Sequence, residues 1–294
     1  WAHRKIGLPR DEIFVIAKIA PWNHGYQRVK KSLAQQLEML RLTHVDLCLL
    51  QWPHVWDPSQ QEWGLAQWRK SATWHLAQKK GSWSALEELY KAGKARAIGV
   101  CNHTIDQLES LLRHCRVKPH LVQAESHPHW PNRSLRDWCR QREITFQGYA
   151  PFGGQLTENN KGQRAIDDKV VASVADRHKL SPARVCMYWN LSRNSSTVVK
   201  SRTFCHLREN IAVDEVQLPS TDLMYIDELG ISMAEYGPIY WGFNDMDYLH
   251  PWRAEKEITD EMCGADTRSL PFDFNLRPKS GASASASNWE PQPP

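Results

Sequence analysis

The 294-residue chain contains no apolar run near the ~18 residues that a membrane-spanning helix needs, so no helical span is expected. It has no Gly-x-Gly-x-x-Gly motif, which leaves a doubly wound dinucleotide domain without support. There is no Cys-x-x-Cys pair. The seven cysteines are odd in number and irregularly spaced, and none of the 13 histidines pairs with them at ligand spacing. That excludes a zinc module from the reading, so no metal is expected, and it favours reduced thiols in a cytoplasmic protein. Charge of one sign is also lacking. The net charge of +4 is small and spread along the chain, so neither nucleic acid nor a membrane surface is an expected partner. The first residues, Trp1-Ala-His-Arg-Lys-Ile6, carry neither an initiator methionine nor the apolar centre of a signal peptide.

What is plentiful is tryptophan, at 14 residues, many of them between Trp52 and Trp83, where covering a core is the expected role. The hydrophobic content of 41% with 24% charged residues is that of a globular protein. Short β-branched apolar runs alternate with segments of helical spacing. Strands are expected at Ile13–Ala17, Asp46–Leu50, Ala95–Val100, Leu121–Glu125, Ile144–Tyr149 and Thr197–Val199. Helices are expected at Val29–Leu42, Ser84–Ala92, Ile105–His114, Ser134–Arg142 and Asp167–His178, and from Ser181-Pro182, where proline takes the first helical position. Two more are expected at His206–Val213 and Thr221–Leu229. Thr104 reads as the N-cap of its helix. The polar, Trp-rich stretch His54–Ser82 reads as a loop over one face.

This βα alternation predicts a parallel sheet covered by helices. From about Gly237 the composition changes to Pro-rich and Ala/Ser-rich sequence. The expected organisation is therefore a βα domain over 1–235 and a C-terminal extension over 236–294, its last part disordered.

One strand ends abruptly in polarity: Val45-Asp-Leu-Cys-Leu-Leu-Gln-Trp-Pro53 runs from apolar residues into an amide, an indole and a proline. A polar side chain at the C-terminal end of such a strand sits where barrel enzymes place their chemistry. With it come Ala95-Arg-Ala-Ile-Gly-Val-Cys-Asn102, Val122-Gln-Ala-Glu-Ser-His-Pro128, Gly148-Tyr-Ala-Pro151 and Val198-Val-Lys-Ser-Arg202. Their order and spacing resemble those of the aldo-keto reductases over roughly residues 8 to 230. The resemblance implies a (β/α)8 TIM-barrel fold. A full barrel takes ~250 residues, or ~30 per βα unit. About six units are legible here, so the barrel is expected to be N-terminally incomplete, without its first two βα units.

The same resemblance assigns roles. Lys18 matches the family lysine that lowers the pKa of a proton-donating tyrosine, and Gln51 stands where most members have a catalytic histidine. Gln51 can donate a hydrogen bond to a carbonyl but cannot titrate near neutral pH. Potassium-channel β subunits, within the family, carry an amide there and reduce substrates slowly. Cys101, Asn102 and Gln123 match the residues that hold the nicotinamide carboxamide, and Tyr149 the ring that stacks on the nicotinamide. Lys200, Ser201 and Arg202 suit a 2′-phosphate, since charge-assisted bonds to phosphate are strong, and they favour NADP(H) as cofactor. Glu209 and Asn210 match the adenine end, and His206 falls where the family has an arginine. Trp22 and Trp52, with Trp130 as a further candidate, match aromatic positions of the substrate pocket.

The tyrosine and its aspartate partner belong to the second βα unit, and nothing ahead of Lys18 fits them. The expectation is an oxidoreductase by family, reducing an aldehyde or ketone to an alcohol with NADPH, whose activity in this chain is in doubt. The alternative is a catalytically inactive NADP(H)-binding sensor or regulatory protein. The expected partner is a small carbonyl compound, and the oligomeric state is left open.

Overall fold

The computed structural model describes residues 7–53, 55, 72–154 and 164–232. The expected C-terminal extension, 236–294, lies outside these residues. Six strands form one sheet: β1 (Ile16–Ile19), β2 (Leu47–Leu50), β3 (Ile98–Cys101), β4 (Leu121–Glu125), β5 (Thr145–Tyr149) and β6 (Ser196–Val198). They lie side by side in chain order and every pairing is parallel, giving an α/β half-barrel. Parallel neighbours need a crossover between them. Six helices supply it: α1 (Tyr26–Leu40), α2 (Ala72–Lys91), α3 (Ile105–Leu112), α4 (Arg133–Gln141), α5 (Lys169–His178) and α6 (Pro182–Leu191); α7 (Phe204–Ile211) and α8 (Ser220–Ser232) follow β6.

Alternation along the strands divides the packing into two faces. Ala17, Ile19, Cys48, Leu50, Ile98, Val100, Val122, Ala124 and Phe146 face the helices and join Val29, Leu33, Leu86, Leu108 and Trp138 in the main core. Each large apolar side chain buried there contributes roughly 1.5–3 kcal/mol. Leu47, Leu49, Ala97 and Leu121 form a smaller apolar layer on the inner face. A third cluster, built on Val174, Val185, Trp189 and Ile226, packs α5, α6 and α8 together. Gly99 belongs to the inner face and has no substitute there. A Cβ on it would lie 2.2 Å from the Leu121 carbonyl oxygen and 2.8 Å from Leu49 Cδ2.

Polar fastenings fix the frame. Buried Asp46, just ahead of β2, accepts from the Val15 amide at 2.7 Å and pairs with Arg10 at 2.7 Å and Arg96 at 3.3 Å. It thereby joins the segments that lead into β1, β2 and β3. Burial pushes its carboxyl pKa up, but the Val15 N–H and Arg10 outweigh that and hold it below its ordinary value. Thr104 caps α3 in a full capping box with Gln107, as its position in the sequence suggests.

The stretch expected to be a loop up to Ser82 is helical from Ala72 onward. Gly81-Ser82 looks like a break, yet it lies inside α2, where the glycine permits close contact. A Cβ at Gly81 would sit 3.3 Å from the Tyr26 amide nitrogen. Ser82 Oγ accepts from the Gly25 N–H at 2.8 Å and shares a hydrogen bond with His24 Nδ1 at 3.1 Å, tying the loop after β1 to α2. Apart from β4, the strands shift at one or both ends by one to three residues from the expected bounds, because apolar residues such as Ile13 and Ile144 lie outside the paired ladder. Cys48, Cys101, Cys115, Cys139 and Cys186 are free thiols, as expected; Cys205 is disulfide-bonded, which the reading of all-reduced thiols did not anticipate. No described helix is long and apolar enough to cross a membrane.

His24 is 1% exposed, and burial, with the His103 ring as the next cause, lowers its pKa to about 3. Its folded pKa lies below the unfolded value of ~6.5, so the folded state resists protonation. The stability that this neutral ring confers is complete above pH ~6.5 and falls as pH drops toward 3. Chemical denaturation of the full chain at a series of pH values should show this slope. His24→Gln should flatten it.

Candidate active site

The C-terminal ends of the strands carry the polar residues of the inner face. Cys101, Gln123 and Gln147 occupy one register row across β3, β4 and β5. Paired residues of adjacent strands project to the same side, so their side chains meet. Cys101 Sγ donates to Gln123 Oε1 at 3.2 Å, and Gln123 Nε2 donates to Gln147 Oε1 at 2.6 Å. Lys18, from β1, reaches across the inner face and donates its ammonium to the same Gln123 Oε1. All three row residues are buried, and Gln123 completely so. A buried amide requires partners, and this one has them on both of its heavy atoms.

A second set sits one step further out. Asn102 adopts a left-handed backbone, φ +60°, directly after β3. Asparagine tolerates this region better than most residues. Its amide nitrogen still pairs with the Gln123 carbonyl at 2.9 Å, while its side chain swings across the sheet. Nδ2 donates to the Gln51 carbonyl at 3.0 Å, and Oδ1 accepts from the Tyr149 hydroxyl at 2.7 Å. Asn102 therefore links the ends of β2 and β5. Ala150, after Tyr149, is also left-handed, at φ +52°. Outliers of this kind persist where the surroundings over-determine them. The Lys18 ammonium lies 5.9 Å from the centre of the Tyr149 ring. Gln51 follows β2, its amide nitrogen held by the Ile19 carbonyl at 3.0 Å. Trp22 stands in the short turn after β1, and Trp52 next to Gln51; both are half-buried.

The structure thus brings Lys18, Gln51, Cys101, Asn102, Gln123 and Tyr149 to one end of the sheet. Lys200, Ser201 and Arg202 form a separate group after β6, leading into the N-terminus of α7. Lys200 and Arg202 are exposed, and Ser201 Oγ braces the turn by accepting from the Thr203 amide at 3.2 Å. His206, Glu209 and Asn210 lie on α7, His206 exposed and the other two half-buried. Trp130 is in the turn after β4, where its backbone pairs with His127. Tyr26, the tyrosine nearest Lys18 in sequence, directs its hydroxyl to Glu88 on α2 and is no part of this site.

Two features went unforeseen. Gln147 is one. Its signal was the same as that of Gln123, a polar residue at an inner-face position of a buried strand. The other is a buried pair beside Gln123, Glu125 Oε1 and His127 Nε2 at 3.1 Å.

Six parallel strands in sequential order, with polar residues gathered at their C-terminal ends, set the frame for comparison. The aldo/keto reductase family model matches residues 4–231. The chain belongs to that family. A 9,11-endoperoxide prostaglandin H2 reductase of Trypanosoma cruzi is 30% identical over 230 residues, covering 77% of this chain and 71% of the relative. A glyoxal reductase of Bacillus subtilis is 31% identical over 227 residues, with the same coverage, 77% and 71%. Among solved structures, an aldose reductase from Giardia lamblia superposes with a TM-score of 0.67 at 26% identity, covering 77% of this chain and 75% of that one. An aldose reductase from Schistosoma japonicum gives 0.64 at 27% identity, covering 77% and 72%. The expected family and barrel-type fold are thereby established.

Cys101 is fully buried, and burial pushes its thiol pKa up to about 11 despite the opposing influence of Lys18. The thiolate is the reactive form. In native protein treated with iodoacetamide at pH 8, peptide mapping should find Cys101 unmodified, whereas after denaturation it should react. Rapid native labelling would contradict this burial.

Proposed function

We propose that this member of the family binds NADP(H) across the strand ends and serves the reduction of a small aldehyde or ketone. The observation that carries the reading is the convergence of Lys18, Cys101, Asn102, Gln123 and Tyr149 at one end of the sheet. Gln123, Asn102 and Cys101 would hold the carboxamide of the nicotinamide, and Tyr149 would lie against its ring. Reduced nicotinamide supplies the hydride. The donor set suits a carboxamide, since Gln147 Nε2 and one hydrogen of Asn102 Nδ2 make no hydrogen bond to described residues. Both can be offered to a ligand.

Lys200, Ser201 and Arg202 would take the 2′-phosphate, where two cations and the N-terminus of α7 favour negative charge together. Glu209, Asn210 and His206 would face the adenine. Trp22 and Trp52 would flank an apolar carbonyl substrate, with the Gln51 amide donating to its oxygen. Proximity and orientation would then do most of the work of this site.

A second reading, an NADP(H)-binding protein without turnover, is favoured by one specific observation. Lys18 has no carboxylate within ion-pair distance among the described residues, and its ammonium is committed to Gln123. Gln51 beside it cannot exchange a proton near neutral pH. Both readings require the nucleotide.

The test is titration of the full chain with NADPH and with NADH, followed by quenching of its tryptophan fluorescence, and then a turnover assay on small aldehydes. NADPH should bind more tightly than NADH. Lys200→Ala combined with Arg202→Ala should weaken NADPH by about tenfold to a hundredfold, the scale of a single bond to a charged group, because solvent screens both exposed cations. NADH should be little affected. No binding of either nucleotide would end both readings, and binding without turnover would select the second.

A further inference from the structure

Six cysteines lie among the described residues. Five are free thiols and Cys205 is disulfide-bonded. The chain has seven cysteines, so the partner left within it is Cys263, in the C-terminal extension. Cys205 is half-buried at the start of α7, shortly after Arg202. α7 has no buried residue. Phe204, Leu207 and Ile211 recur along one side of it at helical spacing and are 45%, 42% and 68% exposed. Arg208 stands between that stripe and Cys205 around the helix. With Lys200 and Arg202 it gives this corner of the protein three exposed cations. Glu209 is the one carboxylate on the helix.

The sequence around Cys263 complements this corner. From 257 to 266 it carries Glu257, Asp260, Glu261 and Asp266, with no lysine or arginine among them. Ile258 and Met262 in the same stretch are apolar and suit the stripe. Cys263 lies about 30 residues past Ser232, the end of α8, a tether long enough to reach any point on the described surface.

We propose that the outer face of α7, with Lys200, Arg202 and Arg208, is the docking surface for the chain's own segment 257–266. A Cys205–Cys263 disulfide latches the segment there, and its carboxylates compete with the nucleotide's 2′-phosphate for the cations. The competition rests on the reading of Lys200 and Arg202 as phosphate ligands. The latch opens by thiol–disulfide exchange. A dithiol reductant gives up two electrons and two protons through a mixed disulfide; it ends as a disulfide, and Cys205 and Cys263 end as thiols. The other described cysteines are already thiols, so a reductant changes this one bond.

Non-reducing peptide mapping of the air-oxidised full chain, with NADPH and NADH titrated before and after dithiothreitol, tests the proposal. Mapping should join the Cys205 and Cys263 peptides. Reduction should tighten NADPH by about threefold to tenfold, the scale of one or two screened ion pairs, and leave NADH as it was. Cys263→Ser should show the tighter NADPH binding without reductant. Asp260→Asn combined with Glu261→Gln should approach it with the disulfide intact. A free Cys205 in the oxidised chain, or one joined to a second copy, would overturn the proposal. So would a mapped Cys205–Cys263 bond whose reduction leaves NADPH affinity unchanged or tightens both nucleotides alike. These arms use the wild-type chain and need no variant to fold. Failure to bind either nucleotide in either redox state would instead bring down the phosphate-site reading, and the competition with it.

Discussion

The burial of one amide constrains the rest of the site. Gln123 lies wholly out of solvent in the middle of a parallel strand, where an unpaired amide costs about 1–3 kcal/mol. Its satisfaction calls for donors on one side and an acceptor on the other. Cys101 and Gln147 supply them from the adjacent strands because the register places them opposite. Lys18 supplies another from two strands beyond Cys101, reaching over the apolar layer of the inner face. Gly99 leaves room between Leu49 and the Leu121 carbonyl for the sheet to close up around this row. The polar end of the sheet is thus a consequence of strand order and register, and its chemistry is set before any ligand arrives.

Much of this was legible in the sequence. β4 was placed to the residue, because Leu121–Glu125 is bounded by polar turns and is apolar on its helix-facing side. Thr104 and Ser181-Pro182 announced their helices through capping chemistry that acts within four residues. Sequential βα alternation admits few topologies, and the six strands do lie in chain order. The start of α2 was not legible. Gly81 and Ser82 are loop-like by local preference and helical because they pack against Tyr26 and His24, a tertiary reason that no local window contains. Gln147 was overlooked for a related reason. Its importance lies in facing Gln123 across the register, 24 residues away.

Family membership and geometry bear on different questions. The match over residues 4–231 and the likeness to two aldose reductase structures establish what kind of protein this is. The chemistry of this particular chain turns on its own substitutions. A thiol at Cys101 is a weaker donor than a hydroxyl, and burial keeps it protonated. An amide at Gln51 can orient a carbonyl oxygen but cannot relay a proton. On the proposed reading, both residues keep hydrogen-bonding capacity at the strand ends, and the Gln51 amide in place of a histidine would shift the balance from proton transfer toward binding.

Hydrogen–deuterium exchange of the full chain, measured with and without saturating NADP+, addresses the central claim most directly, since it reports where the nucleotide sits. The account predicts added protection at the ends of β3, β4 and β5 and over the segment from Lys200 into α7, with the N-terminal ends of the strands unchanged. Saturating nucleotide that leaves those segments unprotected, or protects a different face of the protein, would contradict it.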